Sequence, residues 1–216
     1  MVCDLEPDSA TLMIAFGGMW RQFGGIPAFE LLQSIGALRV KKAFLRDHRQ
    51  AWYHRGVRGV GEDIDSVARR LDELTRVANR TVLIGCSAGG YAALLFGDLL
   101  AAEAHAFSPQ TFIDRDLREQ YGDARWPEQI AALAEPDPRY VDLARVLKRG
   151  DLHVYFATGD RLDAVHAEHV AHTAHLHRFD SEEHTLIRTL RDSGWLAAFL
   201  RRIAAAPAGA PPAASN

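Results

Sequence analysis

Residues 81–91, TVLIGCSAGGY, constrain this chain more than any other stretch. A compact apolar and β-branched run enters a G-x-S-x-G turn, and a helix-forming segment, 92–100 (AALLFGDLL), follows at once. A serine on so sharp a strand-to-helix turn takes a strained backbone conformation, which requires small neighbours such as Gly85, Ala88, Gly89 and Gly90. Its hydroxyl then projects beyond the sheet, beside the first N–H groups of the helix, which have no acceptor within it. Ser87 is thereby the candidate nucleophile, and the Ala88 N–H a candidate oxyanion donor. Glycine and serine also cluster in turns that do no chemistry; the buried strand before this turn and the packed helix after it favour the reactive reading.

The rest of the chain repeats the strand-then-helix rhythm. Residues 11–16 (TLMIAF) read as a buried strand ending in Gly17-Gly18, and 37–45 (ALRVKKAFL) as a second. Residues 62–78 place Ile64, Val67, Ala68, Leu71, Leu74 and Val77 on one helical stripe. Further strands are expected at 104–107, 152–157 and 176–179, with helices at 164–174 and 186–203, the last broken near Ser193-Gly194. Such alternation implies βαβ crossovers, a mainly parallel sheet covered on both faces, and a site at the carboxyl ends of the strands. The expected architecture is a three-layer αβα sandwich with about six strands. Residues 111–150 break the rhythm with Pro127, Pro136 and Pro138 and are expected as a helical excursion or small lid; Phe112, Tyr121, Trp126 and Tyr140 either line a pocket or pack the excursion down.

At 216 residues and 48% hydrophobic, the chain suits one substantial core, here 11–203. Residues 1–10 read as a mobile leader and 204–216, rich in Ala and Pro, as a disordered tail. A net charge of -3, with arginines scattered among acids, argues against nucleic acid and anionic membranes as partners. The acidic start lacks a signal-peptide pattern and no run reaches membrane-spanning length, so a soluble, cytoplasmic protein is expected. Cys3 and Cys86 do not suggest a disulfide framework.

A serine hydroxyl needs a base to take its proton, commonly a histidine held by a carboxylate. Of ten histidines, His166, His169, His172 and His175 recur every three residues. That spacing drifts around a helix, so they read as surface or partly packed residues, and no metal is expected. His184, in the polar loop DSEEHT after the last strand, stands at the carboxyl edge and is the candidate general acid/base. The loop after the preceding strand offers Asp160 and Asp163; Asp163 is the first choice, Asp160 the second, and either could instead cap the following helix. A second oxyanion N–H is sought in FGGMW (16–20), at Gly18 with Met19 as its alternative. Two further loops face the same edge: 45–56, with Asp47, His48, Trp52, Tyr53 and His54 as substrate contacts or a packed loop with solvent-facing histidines, and 107–112 (FSPQTF).

GCSAGG at 85–90, FGG at 16–18, the GDRLD turn at 159–163 and EEH at 182–184 resemble the α/β-hydrolase superfamily, and the likeness spans about residues 11–203. The chain order serine, acid, histidine is the one this resemblance implies. It further implies Ser87 as nucleophile, His184 as general acid/base, Asp163 as its orienting partner, and the Gly18 and Ala88 N–H groups as oxyanion hole. Against the family pattern, the chain is expected to begin at the third strand, Phe16 replaces the usual histidine before the oxyanion glycine, and no large cap domain is present. The expected activity is a serine hydrolase of a small-molecule or carrier-bound carboxylic ester or thioester, with no cofactor. Acyl transfer by the same residues, a non-catalytic binding protein and a peptidase are the alternatives.

Overall fold

The computed structural model describes residues 1–19, 31–182, 184 and 186–206. In chain order the elements are β1 (Val2–Asp4), β2 (Thr11–Phe16), α1 (Leu32–Gly36), β3 (Lys41–Leu45), α2 (Ile64–Thr75), β4 (Arg80–Cys86), α3 (Ala88–Leu99) and β5 (Glu103–Phe107). They continue with α4 (Arg115–Tyr121), α5 (Pro127–Leu133), α6 (Leu143–Val146), β6 (Asp151–Ala157), α7 (Arg161–His169), β7 (His175–Phe179), α8 (Leu186–Asp192) and α9 (Trp195–Ala205). The strands form one sheet in the order β1-β3-β2-β4-β5-β6-β7, parallel throughout except for β1 against β3.

All six residues of β2 are buried, as a central parallel strand covered on both faces requires. The period of two divides them. Leu12, Ile14 and Phe16 pack with α2 and α3 through Val67, Leu71 and Phe96, whereas Met13 and Ala15 pack with Ile35, Leu190, Leu196 and Phe199 of α1, α8 and α9. The result is the expected three-layer αβα sandwich. Gly97 of α3 lies so close to β5 that a Cβ there would stand 2.7 Å from that of Ala104, which draws the central helix tightly onto the sheet.

Three expectations are corrected. The first ten residues are not simply a mobile leader, because Val2–Asp4 pairs antiparallel with β3 through Val2 and Phe44, Cys3 and Ala43, Asp4 and Lys42. That strand raises the sheet from about six strands to seven. Residues 204 and 205 belong to α9 and Ala206 caps it; the rest of the expected tail, 207–216, lies outside the described residues. Other boundaries shift by a few residues: α7 begins at Arg161 because Asp160 caps it, and residues 37–40 form a turn that Lys42 Nζ ties down by donating to the Gly36 and Leu38 carbonyls. The break near Ser193-Gly194 separates α8 from α9, with Gly194 at φ 81.

Between β5 and β6 the chain runs through α4, α5 and α6. Phe112 and Tyr140 are buried: Phe112 packs on His166 with ring centroids 3.9 Å apart, and the Tyr140 hydroxyl donates to Asp65 on α2 at 2.6 Å. No helix among the described residues is long and apolar enough to cross a membrane.

Candidate active site

Ser87 joins β4 to α3 at φ 55 and ψ -118, a region costly for any residue with a Cβ. The neighbouring glycines explain how the turn closes. A Cβ at Gly85 would stand 2.1 Å from the Gly89 carbonyl oxygen, and one at Gly89 would stand 2.3 Å from that of Phe16. The second contact seats the start of α3 directly against the end of β2. The Ser87 N–H donates to Phe107 O at 2.9 Å, and Ser87 O accepts from Gln110 N at 3.3 Å, so the loop after β5 braces the turn. Ser87 itself stays partly exposed.

The loop after β2 is held as firmly. The Gly17 N–H donates to Leu45 O at 2.9 Å, Tyr53 Oη donates to Gly17 O at 2.9 Å, and Gln50 Nε2 donates to Met19 O at 2.6 Å. Gly18 and Met19 are buried beside the turn, while Trp20, the end of the FGGMW segment, lies outside the described residues. Ala88, as the first residue of α3, presents an N–H without an acceptor within its helix.

His184 and Asp163 come together. His184 Nδ1 lies 2.6 Å from Asp163 Oδ1; Asp163 is fully buried on α7, and the ring is partly exposed. Their loops are coupled through Gly159, whose N–H donates to Ser181 O at 2.9 Å. Asp160 has the other role foreseen for these acids: its Oδ1 accepts the Asp163 N–H at 2.9 Å and caps α7. Among the described residues no hydrogen bond joins Ser87 Oγ to the His184 ring. Catalytic hydrogen bonds commonly tighten only when substrate binds. Of the EEH segment, Glu183 lies outside the described residues.

Asp160, Asp163 and His184 also place three ligand atoms within 4.8 Å of one another. An ion there would compete with the bond between His184 Nδ1 and Asp163 Oδ1 and with the cap of α7.

Two histidine expectations are corrected. His166 is not at the surface but fully buried, with Nδ1 accepting the Thr111 N–H at 3.0 Å and Nε2 donating to Asp123 Oδ2 at 3.0 Å; burial pushes it down to about 4 against the pull of Asp123. His54 likewise does not face solvent. Its Nδ1 accepts the Asp137 N–H at 3.2 Å and its Nε2 lies 3.0 Å from Tyr91 Oη, and burial holds it near 4. Trp52, also buried, donates from Nε1 to Gln110 Oε1 at 2.9 Å, tying the loop after β3 to the one bracing Ser87. Sequence reasoning missed Asp123 and Arg125, which no periodicity marks, while Gln110 falls in the segment 107–112 already placed at this edge. His166 had a usable signal, since it lies one helical turn from Asp163 and so shares its face.

No protein-family model matches the chain, and no curated protein matches it. Solved structures do. The serine hydrolase FphF of Staphylococcus aureus, described as fluorophosphonate-binding, is 11% identical at a TM-score of 0.54, over 88% of this chain and 84% of its own. Acetyl xylan esterase 1 from Thermoanaerobacterium sp. is 15% identical at 0.55, over 89% and 75%. Esterase 2 of Thermogutta terrifontis, solved phosphonylated by sarin, is 16% identical at 0.53, over 94% and 88%. With the sheet order and the turn at Ser87, these likenesses show that the chain has the α/β-hydrolase fold.

Proposed function

We propose that this protein is a serine hydrolase that cleaves a carboxylic ester or thioester through an acyl-enzyme intermediate. The observation that carries the reading is the 2.6 Å contact of His184 with buried Asp163, at the same sheet edge as the strained turn of Ser87. With Nδ1–H directed at the carboxylate, Nε2 is the basic nitrogen of the ring. It takes the proton of Ser87 Oγ as the oxygen attacks the acyl carbon, while the Ala88 and Gly18 N–H groups receive the developing oxyanion. The imidazolium then protonates the leaving alcohol or thiol. Water, deprotonated by the same nitrogen, attacks the acyl-serine; the bond to Ser87 Oγ breaks, the imidazolium returns its proton to that oxygen, and the acid is freed. The substrate is a small or carrier-bound acyl compound.

Labelling with a fluorophosphonate, followed by turnover of p-nitrophenyl esters and acyl thioesters of increasing chain length, tests the reading. The native protein is expected to label and to turn over, and Ser87→Ala to do neither. An unlabelled native protein would point to a binding protein on a hydrolase scaffold.

A further inference from the structure

Gly122, at φ 66, ends α4 and turns the chain into Asp123, whose side chain is fully buried. Asp123 Oδ1 accepts from Arg125 N at 3.0 Å and from Arg125 Nε at 2.9 Å. Oδ2 accepts from Arg125 Nη2 at 3.0 Å, Arg118 Nη1 at 3.1 Å and His166 Nε2 at 3.0 Å. Because His166 Nδ1 takes the Thr111 N–H, its proton resides on Nε2 and the ring is a neutral donor. Burial alone would raise the Asp123 carboxyl, but the hydrogen bonds from His166 and Arg125 outweigh it and hold the group far below the ordinary carboxylate range. Asp123 is thus a fixed negative charge that grips one edge of the Arg125 guanidinium, through Nε and Nη2, together with the backbone N–H of the same residue.

That guanidinium has one nitrogen left. Arg125 Nη1 lies 3.4 Å from Asp163 Oδ1, the same oxygen that accepts from His184, while Asp163 Oδ2 is buried with no hydrogen-bond partner among the described residues. Among the described residues Arg125 is the only Arg or Lys within ion-pair distance of Asp163, whose neighbouring acid is Asp160. A planar fork clamped on one carboxylate gives a second carboxylate a preset direction, which a flexible ammonium does not.

We propose that Arg125 is a positioning residue: clamped by Asp123, it fixes the orientation in which Asp163 Oδ1 receives the His184 N–H. The segment between β5 and β6 therefore contributes to the reacting centre through a partly buried ion pair as well as covering the sheet. This inference rests on the reading of Ser87, Asp163 and His184 given above.

Fluorophosphonate labelling of the native protein and of Ser87→Ala establishes that reading first and independently. In the active enzyme, Arg125→Gln should lower kcat roughly ten- to a hundredfold with KM nearly unchanged, and Arg125→Lys should fall between it and the native protein. The discriminating arm repeats both substitutions in Asp163→Asn, read as the rate of fluorophosphonate labelling. There they should change the rate less than about twofold, since the group through which Arg125 acts is gone. If Arg125→Gln does not fold, thermal melting will show it and Arg125→Lys carries the test. An equal loss in both backgrounds, or native kcat in the folded variants, overturns the assignment.

Discussion

His184 Nδ1 and Asp163 Oδ1 stand 2.6 Å apart with the ring 34% exposed and the carboxylate wholly buried. The acid is reached only from within the protein, whereas the base has a face toward solvent. That division suits the roles proposed for the pair, a fixed anchor and a ring that meets substrate.

Asp163 and Asp160 should separate cleanly by mutation. Asp163→Asn is expected to lower ester turnover by up to about 10⁴-fold, because the amide no longer selects the tautomer with Nδ1 protonated. Asp160→Ala should cost about 1 kcal/mol of stability for the lost cap of α7, with turnover within severalfold of native. Steady-state assays beside urea titrations of the two variants check both halves.

Relieving the strain at Ser87 should trade activity for stability. Ser87→Gly removes the Cβ from the backbone region at φ 55 and ψ -118. A gain on the order of 1 kcal/mol is expected after the unfolded-state entropy of glycine is deducted, with turnover abolished. A melting temperature below that of the native protein would contradict it.

Two glycine substitutions form a matched pair. Gly89→Ala places a methyl group 2.3 Å from the Phe16 carbonyl oxygen and should destabilise by about 2 kcal/mol or more. Gly36→Ala meets nothing within 4 Å among the described residues, sits at the last residue of α1, and should be neutral or slightly stabilising. Chemical denaturation at matched protein concentration measures the contrast.

Acid should weaken the fold through its buried histidines. Burial holds His54, His166 and His177 at about 4 and His153 at about 3, all below the ordinary 6.5. As pH falls below 6.5 the unfolded chain binds protons that the folded chain refuses. Stability is thus intact above about 6.5, declines between 6.5 and about 4 for three of these groups and on to about 3 for His153, and loses nothing further from them below. Urea midpoints at pH 7.5, 6 and 5 should fall in that order. His54→Gln should flatten the decline by at most roughly 1.4 kcal/mol per pH unit, the limit for one proton.

Much was legible locally. The turn at Ser87 was readable because only small residues tolerate its backbone, and the strands because a sheet buried on both faces leaves uninterrupted apolar runs. The break at Gly194 showed for the same reason, a positive φ that glycine adopts freely. His184 could be placed at the carboxyl edge of the sheet because it lies in a polar loop directly after the last strand. The edge strand at Val2–Asp4 was hidden, since three exposed or half-buried residues carry no period and exist as a strand only by pairing with β3.

The amino-acid sequence by itself determined the α/β alternation, the strained serine and the edge where its partners should gather, because backbone sterics and hydrophobic period act over a few residues. Only the tertiary structure decided that Asp160 caps a helix while Asp163 meets His184, that His166 is a buried donor, and that Arg125 reaches the acid from another segment. Those roles depend on which distant charges are desolvated together, and burial is a property of the packed chain that no local spacing encodes.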